Sequence, residues 1–146
     1  GGLDVFGQHD RLTRYCQELA AAGCRVSLFI EADKRQLEAA VSIGAPVVEI
    51  HAGAYCEAGK ADQPRELARI VESAQLCESM GLECHVGHGL SFDTVGPVAA
   101  IQMVAELNIG HFLIGEAIFG GLESSIKRMR ALMDNARAEV SGQVSA

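Results

Sequence analysis

The chain has 146 residues, enough for one domain with a sizeable core. Its formal net charge of -7 argues against the basic face that non-specific nucleic-acid binding needs. Hydrophobic residues make up 49%, yet no window holds the roughly 18 uninterrupted apolar residues of a membrane span. The opening "GGLDVFGQHD" has neither the basic start nor the apolar run of a secretory signal, and it lacks an initiator Met. A cytoplasmic chain, cut from or processed out of a longer one, is the expectation. Five cysteines (Cys16, Cys24, Cys56, Cys77 and Cys84) form no CxxC pair, so buried free thiols are expected.

Residues 7–22 read as a helix, with Leu12, Tyr15, Cys16 and Leu19 at helical spacing and Gly23 as a stop. "RVSLFI", 25–30, suits a buried strand. Asp33 then opens a helix as its cap, with Gln36 three residues on as a capping box and Gly44 as the stop. "VVEIHAG", 47–53, is β-branched and strand-like. A longer connection leads to Pro64 at a first helical position, and Leu67, Ile70, Val71, Ala74 and Cys77 mark one face up to Gly81. "LECHVG", 82–87, is the third strand. Asp93 is placed as the cap of a helix reaching Met103. "ELNIGH", 106–111, is the fourth strand, with an extension through "FLIG" left open. Leu122, Ile126, Met129 and Met133 mark the last helix, and 139–146 reads as a frayed tail behind a domain of residues 1–138.

Strands separated by single helices imply parallel pairing with right-handed crossovers. Four such strands make either a small open sheet or half of a (β/α)8 barrel, since a full barrel needs about 250 residues.

Polar residues gather at the C-terminal strand ends. Glu49 and His51 share one face of their strand, because side chains alternate with period two. His88 and Gly89 follow the third strand; Gly110 and His111 end the fourth. Ligands of parallel α/β folds bind at that rim. Each residue also has a structural reading. A strand-end histidine can simply be a satisfied polar group. A carboxylate inside a strand costs several kcal/mol unless paired, so Glu49 needs a role or a partner. Gly89 and Gly110–His111 suit a phosphate, which needs backbone N–H donors at close range where a Cβ would block the approach. Glu49, His51, His88 and His111 also form a minor metal-ligand reading, though without the tight spacing of a metal motif. His85 reads as structural or supporting, and His9 as solvated.

"GGLDV", "VSLFI", "VEIHAG", "ELARI", "GHGL" and "ELNIGH", in this order, resemble the pyridoxine 5'-phosphate synthase family over residues 1–135. The resemblance implies the C-terminal part of a TIM barrel, about 60% of its length, carrying strands five to eight with their helices. It implies a transferase-type synthase of vitamin B6 biosynthesis that needs no metal or organic cofactor. Such an enzyme joins 1-deoxy-D-xylulose 5-phosphate to 3-amino-2-oxopropyl phosphate, releasing pyridoxine 5'-phosphate, inorganic phosphate and water. By the same resemblance His88 is the proton donor and Glu49 the transition-state stabiliser. Gly89, Gly110 and His111 would hold the phosphate of the amino ketone. Homo-oligomers, dimers or octamers, are implied, with no nucleic-acid or membrane partner. The chain departs from the pattern at Val86, where a small residue is expected, and at Glu116, where some members carry Arg. It also lacks the half of the barrel that carries the other substrate-binding groups, so this chain alone is expected to be inactive. The alternatives are a non-catalytic phosphate-binding or assembly fragment and another phosphosugar barrel enzyme. A Schiff-base aldolase is disfavoured, because Lys34, Lys60 and Lys127 fall in helices or loops.

Overall fold

The four strands found in a computed structural model of the chain, which describes residues 1–143, are short and follow one another across a single sheet. They are β1 (Ser27–Ile30), β2 (Val47–His51), β3 (Glu83–Gly87) and β4 (Val104–Asn108). The helices are α1 (His9–Ala21), α2 (Lys34–Ser42), α3 (Gly53–Glu57), α4 (Gln63–Met80), α5 (Val95–Ala99), α6 (His111–Gly120) and α7 (Leu122–Gln143). All neighbouring strands pair in parallel, in the order β1-β2-β3-β4. The order never reverses, so right-handed crossovers carry every connecting helix to the same face. A doubly wound sheet would need a reversal.

The two faces differ accordingly. Leu28, Ile30, Val48, Ile50, Cys84, Val86 and Val104 point to the helices and join one core with Leu37, Ala40, Ile70, Ala74, Cys77 and Val98. Each fully buried Leu or Ile there contributes about 1.5–3 kcal/mol. The residues that alternate with them include Glu49, His51, Glu83, His85, Glu106 and Asn108, beside the apolar Phe29 and Val47. The N-terminal end of this second face holds an ion network: Arg25 donates twice to Glu83, at 2.9 and 2.6 Å, and His85 lies 2.8 Å from Glu83 and 3.5 Å from Glu106. His85 is thus held in the ion network at this end of the sheet.

Several boundaries differ from the sequence reading. Residues 1–8 are not helical. Residues 1–4 lie beside β1, where the Leu3 amide donates to the Phe29 carbonyl at 2.7 Å, and residues 5–8 turn into α1. Asp33 caps α2 by accepting from the Arg35 amide, but Gln36 makes no capping box. Its Oε1 accepts from the Val5 and Phe6 amides at 2.7 and 3.1 Å, tying α2 to the N-terminal segment instead. Residues 53–57 form the short α3 inside the expected connection. The N-cap of α5 is Thr94, not Asp93, and the helix stops at Ala99. Ile101 is buried and turns the chain early, so β4 starts at Val104 and ends at Asn108. "FLIG" consequently belongs to α6. Val86 faces the helical core, so it does not crowd the strand-end rim.

α7 continues beyond residue 138 to Gln143, and residues 144–146 lie outside the described residues. α6 buries nothing: Ile114, Ile118 and Phe119 are 61%, 78% and 89% exposed. Tyr15 and Leu19 on α1 are also exposed, where the helical spacing predicts a buried face. All five cysteines are free thiols; Cys16, Cys77 and Cys84 are buried, while Cys24 is exposed and Cys56 half-buried. His9 is tethered, its Nε2 lying 3.0 Å from Ser42 Oγ. No helix among the described residues is long and apolar enough to cross a membrane.

Candidate functional site

The C-terminal ends of β1 to β4 open on a cavity of ≈ 910 Å³ lined by Phe29, Glu49, His88, Gly89, Asn108, Gly110 and His111, among others. The structure thus brings together Glu49, His88, Gly89, Gly110 and His111, which are separated by up to 62 residues in the chain (111 − 49). The parallel register explains this. Phe29 pairs with Glu49, Glu49 with His85 and His51 with Gly87, so side chains of equal register rise on one face. A bulge between Cys84 and His85 shifts the next pairing so that Gly87 sits opposite Asn108.

Glu49 has a partner that periodicity did not name. Asn108 Nδ2 donates to Glu49 Oε2 at 2.9 Å. Gly87 lies beneath the carboxylate: a Cβ there would overlap Glu49 Oε1 and stand 2.9 Å from Asn108 Cβ. One Glu49 oxygen is thus fixed by an amide and the other lies over a glycine.

His88 has φ 70, the one positive-φ residue among the described residues that is not glycine. The left-handed region costs an L-residue roughly 1–2 kcal/mol, and such strain gathers at functional sites. The strain turns the chain out of β3 and presents the imidazole at the rim. Its ring packs on His51, centroids 4.8 Å apart, and on Phe29 at 5.8 Å. His51 is anchored in turn, with Nδ1 2.8 Å from Glu31 Oε1. Sequence reasoning passed over Glu31, although it stands two residues beyond Phe29, at the period-two position that would carry it to the same rim.

Gly89 follows at φ 89, and a Cβ there would meet Cys56 Cβ at 3.2 Å. Gly110 is the N-cap of α6 with no side-chain cap among the described residues, and Gly110, His111 and Phe112 at this helix start line the cavity. Free first-turn amides and the helix dipole favour an anion at this place. His88, Gly89, Gly110 and His111 are all exposed, so the rim is open in this chain. Among the described residues no three His, Cys, Asp or Glu groups converge to hold a metal ion, so the ligand set Glu49, His51, His88 and His111 does not form.

A family model described as pyridoxal phosphate biosynthesis protein PdxJ matches residues 1–135. The chain is 57% identical over 141 residues to the pyridoxine 5'-phosphate synthase of Jannaschia sp. (strain CCS1), covering 94% of this chain and 57% of that protein. The synthase of Zymomonas mobilis subsp. mobilis is 56% identical over 139 residues, covering 95% of this chain and 54% of its own length. That of Rhodospirillum rubrum is 58% identical over 137 residues, 93% of this chain and 55% of its own. The chain therefore spans little more than half the length of these relatives.

Proposed function

The chain belongs to the PdxJ family of pyridoxal phosphate biosynthesis proteins, and we propose that it supplies the proton-transfer and phosphate-binding side of a pyridoxine 5'-phosphate synthase barrel. The whole protein would condense 1-deoxy-D-xylulose 5-phosphate with 3-amino-2-oxopropyl phosphate to pyridoxine 5'-phosphate, inorganic phosphate and water. The observation that carries the reading is the single cavity lined by Glu49, His88, Gly89, Gly110 and His111 at the C-terminal strand ends. The unreversed, all-parallel strand order supports the barrel reading. In this reading residues 1–138 belong to the C-terminal part of the barrel.

The chemistry follows from the groups present. The amine of one substrate attacks the ketone of the other, and the adduct loses water to give an imine. That loss needs a proton delivered to the leaving hydroxyl, and later elimination of phosphate needs one too. His88 is the donor, since an imidazole both gives and takes protons near neutral pH. Glu49 faces the nitrogen, where positive charge develops as the imine forms, and stabilises it electrostatically. Gly89 and Gly110 offer backbone amides to the phosphate of the amino ketone, and His111 begins the helix whose N-terminus faces it. Water is kept out only when the open rim is covered, which strengthens each of these interactions.

Assembly into a homo-oligomer is part of the proposal, supported by the bare Ile114, Ile118 and Phe119 on α6. So is a cytoplasmic setting, where reducing conditions keep the five thiols free. The experiment supplies both phosphates and measures pyridoxine 5'-phosphate. It compares this chain, this chain with His88→Ala, and a form extended N-terminally by about 100 residues to barrel length. Product only from the extended form is expected. An extended form that tolerates His88→Ala overturns the proton-donor role.

A further inference from the structure

We propose that Glu31 and His51 are a positioning pair that holds the His88 imidazole in its working orientation. The three residues come from successive strand ends: Glu31 follows β1, His51 closes β2 and His88 follows β3. Glu31 Oε1 lies 2.8 Å from His51 Nδ1 and also accepts from the Gly2 amide at 3.3 Å. A carboxylate at Nδ1 makes that nitrogen the donor and fixes both the tautomer and the plane of the ring.

The other side of the His51 ring fits against Gly53, where a Cβ would come within 2.6 Å of Nε2 and 2.7 Å of Cε1. The ring is thus clamped between a carboxylate and a bare backbone. Phe29 stands edge-on to it, centroids 5.2 Å apart at 84°. His88 lies on this two-ring platform, 4.8 Å from His51 and 5.8 Å from Phe29.

The platform matters because, among the described residues, no hydrogen bond or ion pair fixes the His88 ring. His88 is exposed, its backbone is in the left-handed region, and it is followed at once by a glycine also at positive φ. A loop of that kind leaves the side chain free to rotate unless something packs on it. His51 does not line the cavity, so it acts through His88 and not on the substrate. The inference rests on the assignment of His88 as proton donor only for its effect on rate; the hold on the ring itself is independent of it.

The test uses Glu31→Gln, which keeps shape and loses charge, beside Glu31→Asp, which keeps charge. Ring-nitrogen NMR of this chain is expected to show His51 as one tautomer with Nδ1 protonated. Glu31→Gln should convert it to a tautomer mixture and shift the His88 ring signals, while Glu31→Asp leaves both close to the parent. In the N-terminally extended form, Glu31→Gln should lower kcat roughly 10- to 100-fold, the range seen when the outer partner of a metal-bound imidazole is lost. KM for each phosphate should stay within about twofold, and Glu31→Asp should recover most of kcat. A folded Glu31→Gln protein whose His88 signals are unmoved overturns the pair. If His88→Ala leaves synthesis intact while Glu31→Gln still moves the His88 signals, the proton-donor reading fails and the positioning pair stands.

Discussion

Asn108 at the end of β4 donates to Glu49 in the middle of β2, 2.9 Å apart and across the intervening β3. The bond spans β3 because the residue between them is Gly87, which leaves the space empty. A carboxylate on a strand is retained here by an amide, where an ion pair is the more common device. Among the described residues no cationic side chain pairs with Glu49, whose second oxygen lies over Gly87.

Filling that space is expected to be costly. Gly87→Ala places a Cβ on Glu49 Oε1, 2.9 Å from Asn108 Cβ and 3.0 Å from its carbonyl oxygen. Two of these neighbours are held by β4, so the carboxylate has to swing away. A loss of about 1–3 kcal/mol is expected from overpacking, read as a lower urea midpoint at unchanged slope. Unchanged stability would mean that Glu49 is not seated over Gly87.

Removing the amide should separate stability from chemistry. Asn108→Ala loses one hydrogen bond to a charged group, worth about 1.5–3 kcal/mol at most. Asn108→Asp keeps the shape but replaces the donor with a carboxylate that repels Glu49. In the extended form the Asp variant should lose more product formation than the Ala variant, measured below pH 7. The reverse order would show that the amide only supports the fold.

His88→Gly and His88→Ala both remove the imidazole, so their difference isolates the backbone. At φ 70 the glycine variant should be the more stable by about 1 kcal/mol. Thermal unfolding of the pair decides it. Equal stabilities would place residue 88 outside the left-handed region.

The Arg25–Glu83–His85 network predicts an acid limb. Two donor partners, Arg25 first and His85 second, hold the Glu83 carboxyl at about 2, against 4.5 ordinarily. Between these values the unfolded chain binds the proton that the folded chain refuses. Stability from this group is therefore full above pH 4.5 and is lost as pH falls toward 2. Glu83→Gln should flatten the pH dependence of the unfolding midpoint across that window. A slope identical to the parent's would show that Glu83 is free in the folded state.

The β/α alternation, the parallel pairing and the face shared by Glu49 and His51 were legible in the sequence, because all three follow from local periodicity. The polar strand ends announced a rim, and the motifs from "GGLDV" to "ELNIGH" named the family. Boundaries were less legible where a distant contact outbid a local signal. Gln36 had the spacing of a capping box, but the Val5 and Phe6 amides took its side chain. "FLIG" is apolar enough for a strand, yet the early turn at Ile101 shifted β4 by two residues and left it to α6.

Local order thus determined which elements form and which faces they present, since hydrogen bonding and side-chain alternation act within a few residues. Only the tertiary structure decided which polar groups meet. Register between strands brought Asn108 to Glu49 and Glu31 to His51, through contacts spanning 59 and 20 residues. The Asn108–Glu49 bond depends on the bulge at Cys84/His85 and on the empty volume above Gly87. Neither is a property of any one segment; both arise when strands pack side by side.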